Sequence, residues 1–387
     1  MTTRRHLEIV GAGMAGLTAA AAFAQRGWSV RVHERVSEVR VVGSGLSIFE
    51  NALRVLRAIG AEEDATNGAR EGIERETRDA FGRTTSSLQY ATRMFEISRE
   101  QVVAALEKAA RRSGAEIVTD STIVNANSDG EIVNQKGQRM KADLVIVADG
   151  IHSRLRDVLR VPYRRYPLKD GAIRMMLPRL PEELINPDAK KNIEYWSGNK
   201  RVLIAPCSDS DLYVALTTLN SDVKGRSIPI DKELWSQAFP ALTSLFARMD
   251  KDARWDRFEV VKMKHWSTGR TVIIGDAAHA MAPNLGQAGA CAMMNSLSMA
   301  VMLEDAKDIP TRLIEWEKRE RPLTDHTQRY SSFYSMLTLW PDHMRSLAFS
   351  LIPKIKWLRG QHLKTALHIP MGTEGMEPSA ASRSNTV

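Results

Sequence analysis

The chain has 387 residues, 43% of them hydrophobic, with 54 basic against 46 acidic side chains and a formal net charge of +8. This suits a globular protein of two domains, or one large domain with an inserted lobe, and excludes disordered and fibrous classes. The charges are scattered without a basic, aromatic-interleaved tract, so no nucleic-acid partner is expected, although the positive excess would help draw in an anionic substrate and a nicotinamide dinucleotide.

From the N-terminus, Leu7-Glu8-Ile9-Val10 reads as a short apolar strand entered at once, with no signal-peptide core before it. Gly11-Ala12-Gly13-Met14-Ala15-Gly16 follows, and an alanine-rich helix from Ala15 to Arg26 stops at Gly27. Ser29 to Glu34 forms the second strand. Three glycines between strand and helix permit a tight turn, backbone approach to a pyrophosphate and close helix–sheet packing. The acid about 20 residues on accepts hydrogen bonds from an adenosine ribose. Gly11, Gly13, Gly16 and Glu34 therefore mark a dinucleotide site, and a Cβ branch at Gly13 or Gly16 would occupy the pyrophosphate's approach.

Arg99–Arg112 reads as an amphipathic helix, Ala115–Val118 as a strand and Ile123–Met140 as a meander turning at Asp129-Gly130 and Lys136-Gly137. Asp143–Ala148 is nearly all apolar, as a strand buried on both faces requires, and ends in Asp149-Gly150. The character changes after residue 172. Ala172–Leu177, Ile193–Trp196, Arg201–Ala205 and Leu212–Leu216 are strand-like runs separated by turn residues, the pattern of an inserted antiparallel sheet. A helix over Lys232–Met249 leads back to Thr271–Ile274, which rejoins the first sheet, and Trp316–Leu358 is helical. No membrane span is expected, because the most apolar helix candidate, Ala290–Leu303, is interrupted by Asn295, Ser296 and Ser298. Cys207 and Cys291 are the only cysteines and lack metal-ligand spacing. Both read as core residues of a protein from a reducing cytosol, with no metal site.

Gly11, Gly13, Gly16 and Glu34, the Asp149-Gly150-Ile151-His152-Ser153-Arg154-Leu155-Arg156 run, and Gly275-Asp276 through Pro283 together resemble the single-component FAD-dependent aromatic hydroxylases. The resemblance covers nearly the whole chain. Lys169–Arg174, Pro206-Cys207, Ser227–Asp231 and Ala288–Asn295 look most similar to the 2-methyl-3-hydroxypyridine-5-carboxylate oxygenase branch, which hydroxylates and opens a pyridine ring. The implied fold is α/β, like that of p-hydroxybenzoate hydroxylase. A Rossmann-like FAD-binding domain (1–165 and 267–310) carries an inserted antiparallel substrate lobe (166–266), followed by C-terminal helices (311–370) and a disordered tail (371–387).

The resemblance also implies roles. Non-covalent FAD would contact Arg35, Gly45, Arg99, Asp149, Asp276, Pro283, Gly286, Ala288 and Gly289 besides the glycine turn and Glu34. Asp276 would hydrogen-bond the ribityl chain, and the helix opening near Gly286–Ala288 would aim its N–H groups at the pyrimidine side of the isoalloxazine. A surface charge is an equal reading of Arg99 from sequence, and Arg156 reads as a tie for its turn. Two features depart from the family: Gly286-Gln287-Ala288-Gly289 replaces a Gly-x-Gly pattern, and Asn295 stands where an acid is common.

Arg174, Arg201 and Tyr213 fall on the pyridine branch's substrate positions, with Arg75 in place of another tyrosine and Trp255 or Phe258 in place of others. Two arginines suit a carboxylate. His279 reads as a packing residue of the flavin loop rather than a general base, because the cofactor carries the hard chemistry. The implied activity is monooxygenation of a hydroxylated or aminated aromatic or pyridine carboxylate by NADH or NADPH and O₂ through a flavin C4a-hydroperoxide, with ring opening left open. A hydroxylase without ring cleavage, a flavin reductase or dehydrogenase, and a non-catalytic flavoprotein remain alternatives. A cytoplasmic setting and room for a homodimer complete the expectation.

Overall fold

The computed structural model describes residues 4–39, 44–249, 253–351 and 354–377. One sheet has six strands, in the order Ser267–Thr268, Thr271–Ile273, Leu144–Val147, His6–Val10, Ser29–His33, Glu116–Val118. All neighbours are parallel except the Ser267–Thr268 edge. Ile9 lies between Ile146 and Val32 in register, so each central strand is buried on both faces, which is why these runs are almost continuously apolar. The Met14–Gln25 helix is buried nearly all round because it packs against both the Arg99–Arg112 and Ala288–Leu303 helices. Its run of alanines lets the three backbones approach closely.

The second sheet has seven strands, in the order Arg254–Met263, Tyr163–Pro178, Asp211–Leu219, Lys200–Pro206, Lys191–Ser197, Glu74–Asp79, Thr84–Gln89. One face rests on Trp235, Phe239 and Phe246, and the other turns Ala205, Tyr213, Ala215 and Phe258 toward Ala282 of the flavin loop. This corrects the expected lobe boundary of 166–266. Two strands come from residues 74–89, and the first inserted strand begins at Tyr163. Glu-Arg-Glu-Thr-Arg-Asp over 74–79 carries no apolar alternation. It holds as a strand because Glu76, Arg78, Asp188 and Lys191 neutralise one another across the sheet edge.

A small sheet of Gly45–Phe49, Met94–Ser98 and Arg70–Glu71 bridges the two large ones. The expected Lys232–Met249 helix is broken into Lys232–Ala238, a 3-10 turn at Pro240–Leu242 and Thr243–Ala247, since Pro240 supplies no N–H and crowds the preceding turn. The long C-terminal helix runs from Ile309 to Met336, and a 3-10 turn at Leu337–Leu339 separates it from Asp342–Leu351. The tail does not begin at 371. Thr373 is fully buried, its carbonyl accepts from Arg54 Nη1 at 3.2 Å, and Gly372 packs on Val301; residues 378–387 lie outside the described ones.

Candidate active site

The glycine turn is built for close approach at two positions and for vacancy at the third. A Cβ on Gly11 (φ +102°) would stand 2.4 Å from Ala148 O, and one on Gly16 would stand 2.0 Å from Gly11 O. The Gly16 constraint is therefore internal to the turn, not the ligand clearance expected for it. Gly13, the N-cap of the Met14–Gln25 helix, has ordinary extended geometry, and a Cβ there meets nothing within 4 Å. No described side chain caps that helix, so its first N–H groups and positive dipole end face this open space, which fits a pyrophosphate. Glu34 Oε2 accepts from the Ala12 N–H at 2.9 Å and Oε1 from the Val36 N–H at 3.3 Å, which leaves each oxygen a further acceptor position for a ribose.

Arg35 is exposed beside this end. Burial raises the pKa of Asp149, and its Oδ1 is buried without a partner among the described residues. Arg156 is 1% exposed and donates from Nη1 to Ala277 O and from Nη2 to Ile151 O, both at 2.6 Å. It thereby joins the Asp149-Gly150 turn to the Gly275-Asp276 loop.

That loop lies against the start of the first helix, where a Cβ on Gly275 (φ +63°) would sit 3.0 Å from Ala15 Cβ. Asp276 follows. Its side chain is exposed, yet the surrounding protein desolvates it enough to raise its pKa against the pull of Arg99 and Arg174. Arg99 is half-buried at the head of its helix, with Nε unpartnered among the described residues and Asp276 acting on it through space. The surface-charge reading of Arg99 is thus set aside.

Pro283–Leu285 forms a 3-10 turn closed by Gly286 in the left-handed region (φ +63°), where a Cβ would come 2.9 Å from Ser47 Cβ. Gln287 then caps the Ala288–Leu303 helix only by position. Its side chain accepts instead from Asn51 Nδ2 at 2.8 Å, which among the described residues leaves Nε2 buried without a partner and the helix without a side-chain cap. Gly289 leaves just enough room for Met14, whose Cε would be 3.0 Å from a Cβ there. Uncapped helix termini, the vacancy at Gly13 and the orphaned polar atoms fit a flavin dinucleotide stretched from Glu34 to Ala288. His279 is 3% exposed, with Nε2 3.2 Å from Asn295 Nδ2 and its ring 5.1 Å from that of Trp266. Burial lowers its pKa to about 4, so it is a neutral packing residue.

Between this loop and the seven-stranded sheet lies a cleft whose lining includes Gly45, Arg75, Arg174, Arg201, Tyr213 and Gly286. Tyr213 presses on Gly45, where a Cβ would lie 2.6 Å from its ring. Arg174 Nε is 3.7 Å from Asp256, and its guanidinium lies 5.8 Å from the Phe258 ring centroid. Phe258 lines the cleft, whereas Trp255 packs on the opposite face of the sheet.

Arg75 and Arg201 flank Glu194, a residue the sequence reading passed over. Arg75 Nη2 donates to Glu194 Oε1 at 2.9 Å and to Tyr334 Oη at 2.5 Å, while Tyr334 donates to Glu194 Oε2 at 2.7 Å. Arg201 Nη2 donates to Asn284 Oδ1 at 2.7 Å, and Nη1 is 3.9 Å from Glu194. Burial pushes Glu194 upward, but Arg75, Arg201 and Tyr334 outweigh it and hold the acid at about 2. A carboxylate inside the apolar Ile193–Trp196 run was the available signal, since a buried acid needs a partner. Tyr334 gave none.

Asp276→Ala is expected to weaken FAD retention by about 10- to 100-fold, the equivalent of a charged hydrogen bond of about 1.5–3 kcal/mol, and to slow flavin reduction. Flavin-fluorescence titration and stopped-flow reduction check this, and unchanged values would leave Asp276 a structural role only.

Residues 5–307 match the family model described as the FAD binding domain. A putative 2-heptyl-3-hydroxy-4(1H)-quinolone synthase, AqdB1, of Rhodococcus erythropolis is 38% identical over 371 residues, spanning 95% of this chain and 97% of the relative. The 2-heptyl-3-hydroxy-4(1H)-quinolone synthase of Mycobacteroides abscessus is 35% identical over 346 residues, 88% of this chain and 92% of the relative. Among solved structures, the tetrameric form of 2-methyl-3-hydroxypyridine-5-carboxylic acid oxygenase superposes with a TM-score of 0.86 at 34% identity, covering 95% of this chain and 97% of that one. No described helix is long and apolar enough to cross a membrane, and no described group of three or more His, Cys, Asp or Glu residues is placed to hold a metal. The chain belongs to the FAD-binding-domain family and is an FAD-dependent monooxygenase of the aromatic hydroxylase type.

Proposed function

We propose that this monooxygenase hydroxylates a neutral, electron-rich N-heteroaromatic ring of the 2-alkyl-4(1H)-quinolone class, without opening it, at the expense of NADH and O₂. The balance is one ring C–H, O₂, NADH and a proton converted to ring C–OH, water and NAD⁺. The observation that carries the reading is the Arg75–Glu194–Arg201 arrangement. Of the two arginines expected to await a substrate carboxylate, Arg174 and Arg201, the second already lies beside a buried one, Glu194, which it shares with Arg75, so this part of the wall offers hydrogen bonds more than net positive charge. The relatives' names point the same way.

Bound FAD supplies the reduction by nicotinamide and the delivery of oxygen. The chain supplies the rest. Tyr213 and Phe258 give the ring an apolar wall, and Arg174, 3.7 Å from Asp256 and with its Nε unpartnered among the described residues, would donate to a ring carbonyl. The N-terminus of the Ala288–Leu303 helix, without a side-chain cap among the described residues, would favour negative charge on a flavin held in front of it.

A panel of 2-alkyl-4(1H)-quinolones and hydroxypyridine carboxylates, assayed with NADH and NADPH under isotopically labelled O₂, tests the reading. Quinolones are expected to stimulate NADH oxidation and to gain one labelled oxygen atom. Faster turnover of pyridine carboxylates, with ring-opened product, would favour the carboxylate reading that Arg174 and Arg201 first suggested. Nicotinamide consumption without oxygen in any product would indicate a reductase, and a preference for NADPH would overturn the NADH assignment.

A further inference from the structure

Behind the cleft wall lies a carboxylic acid that the foregoing chemistry does not use. Glu96 is 2% exposed on the Met94–Ser98 strand and faces Ser47 of Gly45–Phe49 across the ladder. Ser47 Oγ donates to Glu96 Oε1 at 2.5 Å, and Asn192 Nδ2 donates to the same oxygen at 2.5 Å. Ser47 and Asn192 both line the cleft, so the buried acid touches it through two side chains on different sheets. Ser47 also abuts Gly286, which places its hydroxyl beside the turn that opens the Ala288–Leu303 helix.

We propose that Glu96 is the proton acceptor of the cleft, reached through the Ser47 hydroxyl, and that it takes the proton which the ring's N–H or O–H group gives up as the ring is oxygenated. The inference rests on the heteroaromatic reading above. The proton passes from the ring to Ser47 Oγ while Ser47's own proton passes to Glu96 Oε1. No electrons change hands, the ring becomes the more electron-rich anion, and Glu96 becomes a neutral acid that returns its proton to water between turnovers. Asn192 holds the acceptor oxygen in place.

The setting suits that exchange. Among the described residues Glu96 makes no ion pair. The charged and titratable groups acting on or near it are Arg75 of Glu74–Asp79, Arg70, which stands opposite it across the ladder and donates to Asp209, Tyr90, Cys207 and Tyr213, and of these Arg75 and Arg70 are cations. Burial pushes Glu96 up to about 7, against Ser47, Asn192 and Arg75, so at neutral pH it can both accept and release a proton. A cross-strand pair serving only as glue would require no ionisation, and Gln would serve it equally well.

The test uses holoenzyme and the best substrate of the panel. Wild-type kcat/KM should rise with pH through a limb near about 7, and E96Q should lose that limb and fall about 100-fold at pH 8, in the range of a lost general base, with its FAD content unchanged. S47A should lose the limb as well, although Glu96 is intact. An infrared carboxyl band that titrates near neutral pH in wild type and S47A and is missing from E96Q reads the ionisation without any substrate. A limb that persists in E96Q, or S47A protein with wild-type kcat/KM, overturns the assignment, and S47A decides alone if E96Q does not fold. Should no panel compound be turned over, the functional reading fails by itself and the infrared band decides for Glu96, its absence refuting the proposal.

Discussion

Gly13→Val protein is expected to fold with the thermal stability of wild-type apoprotein yet emerge colourless, whereas Gly16→Val loses flavin and fold together. At Gly16 a Cβ would lie 2.0 Å from Gly11 O, backbone that cannot yield without opening the turn between the first strand and the first helix. At Gly13 the backbone angles suit any residue and no chain atom lies within 4 Å of a Cβ, so a branched side chain fills only the space in front of the helix N-terminus. Melting of the apoproteins by circular dichroism, with FAD titration by fluorescence quenching, separates the two effects. A yellow Gly13→Val protein with wild-type affinity would move the pyrophosphate away from this turn.

The second large effect belongs to Glu194. Glu194→Gln leaves Arg75 and Arg201 facing each other in a buried wall without their shared anion, a defect costing about 3–5 kcal/mol. Its pH signature follows from the depressed ionisation. The acid is held at about 2 in the folded chain, against an ordinary value of 4.5. The stability it contributes is therefore present above about 4.5 and is lost as pH falls toward 2. Urea unfolding between pH 6 and about 2.5 should show this acid-side loss in wild type and a shallower one in Glu194→Gln. Parallel curves of equal stability would mean that the arginines are neutralised elsewhere.

The parts of this molecule that were legible in sequence are those whose cause is local. Gly11, Gly13, Gly16 and Glu34 fall within one strand–turn–helix–strand unit, and Gly275-Asp276 through Gly286 within one loop, so residue order alone carries their geometry. Arg99 was ambiguous because its surroundings, Asp276 and Arg174, come from 177 and 75 residues downstream. The strand at 74–79 was illegible for a different reason. Its side chains are charged on both faces and become strand-compatible only beside Asp188 and Lys191. Arg75, Glu194 and Tyr334 illustrate the same limit, since three separate regions converge on one carboxylate. Arg201 was placed in the cleft by sequence, but its engagement with Asn284 could be seen only once the Pro283–Leu285 turn was folded against the sheet.

The seven-stranded sheet has a consequence for re-engineering this enzyme. Glu74–Asp79 pairs in parallel with Lys191–Ser197, setting Arg75 opposite Asn192, yet between the two strands the chain runs through the Arg99–Arg112 helix and two strands of the six-stranded sheet, Glu116–Val118 and Leu144–Val147. The sheet side of the cleft is thus encoded in two separated stretches of the chain. A chimera that transplants residues 163–263 as a single cassette would import five of the seven strands and leave the recipient's own two at their border. Only a paired graft that carries 70–98 as well keeps the donor's charges matched across the seam.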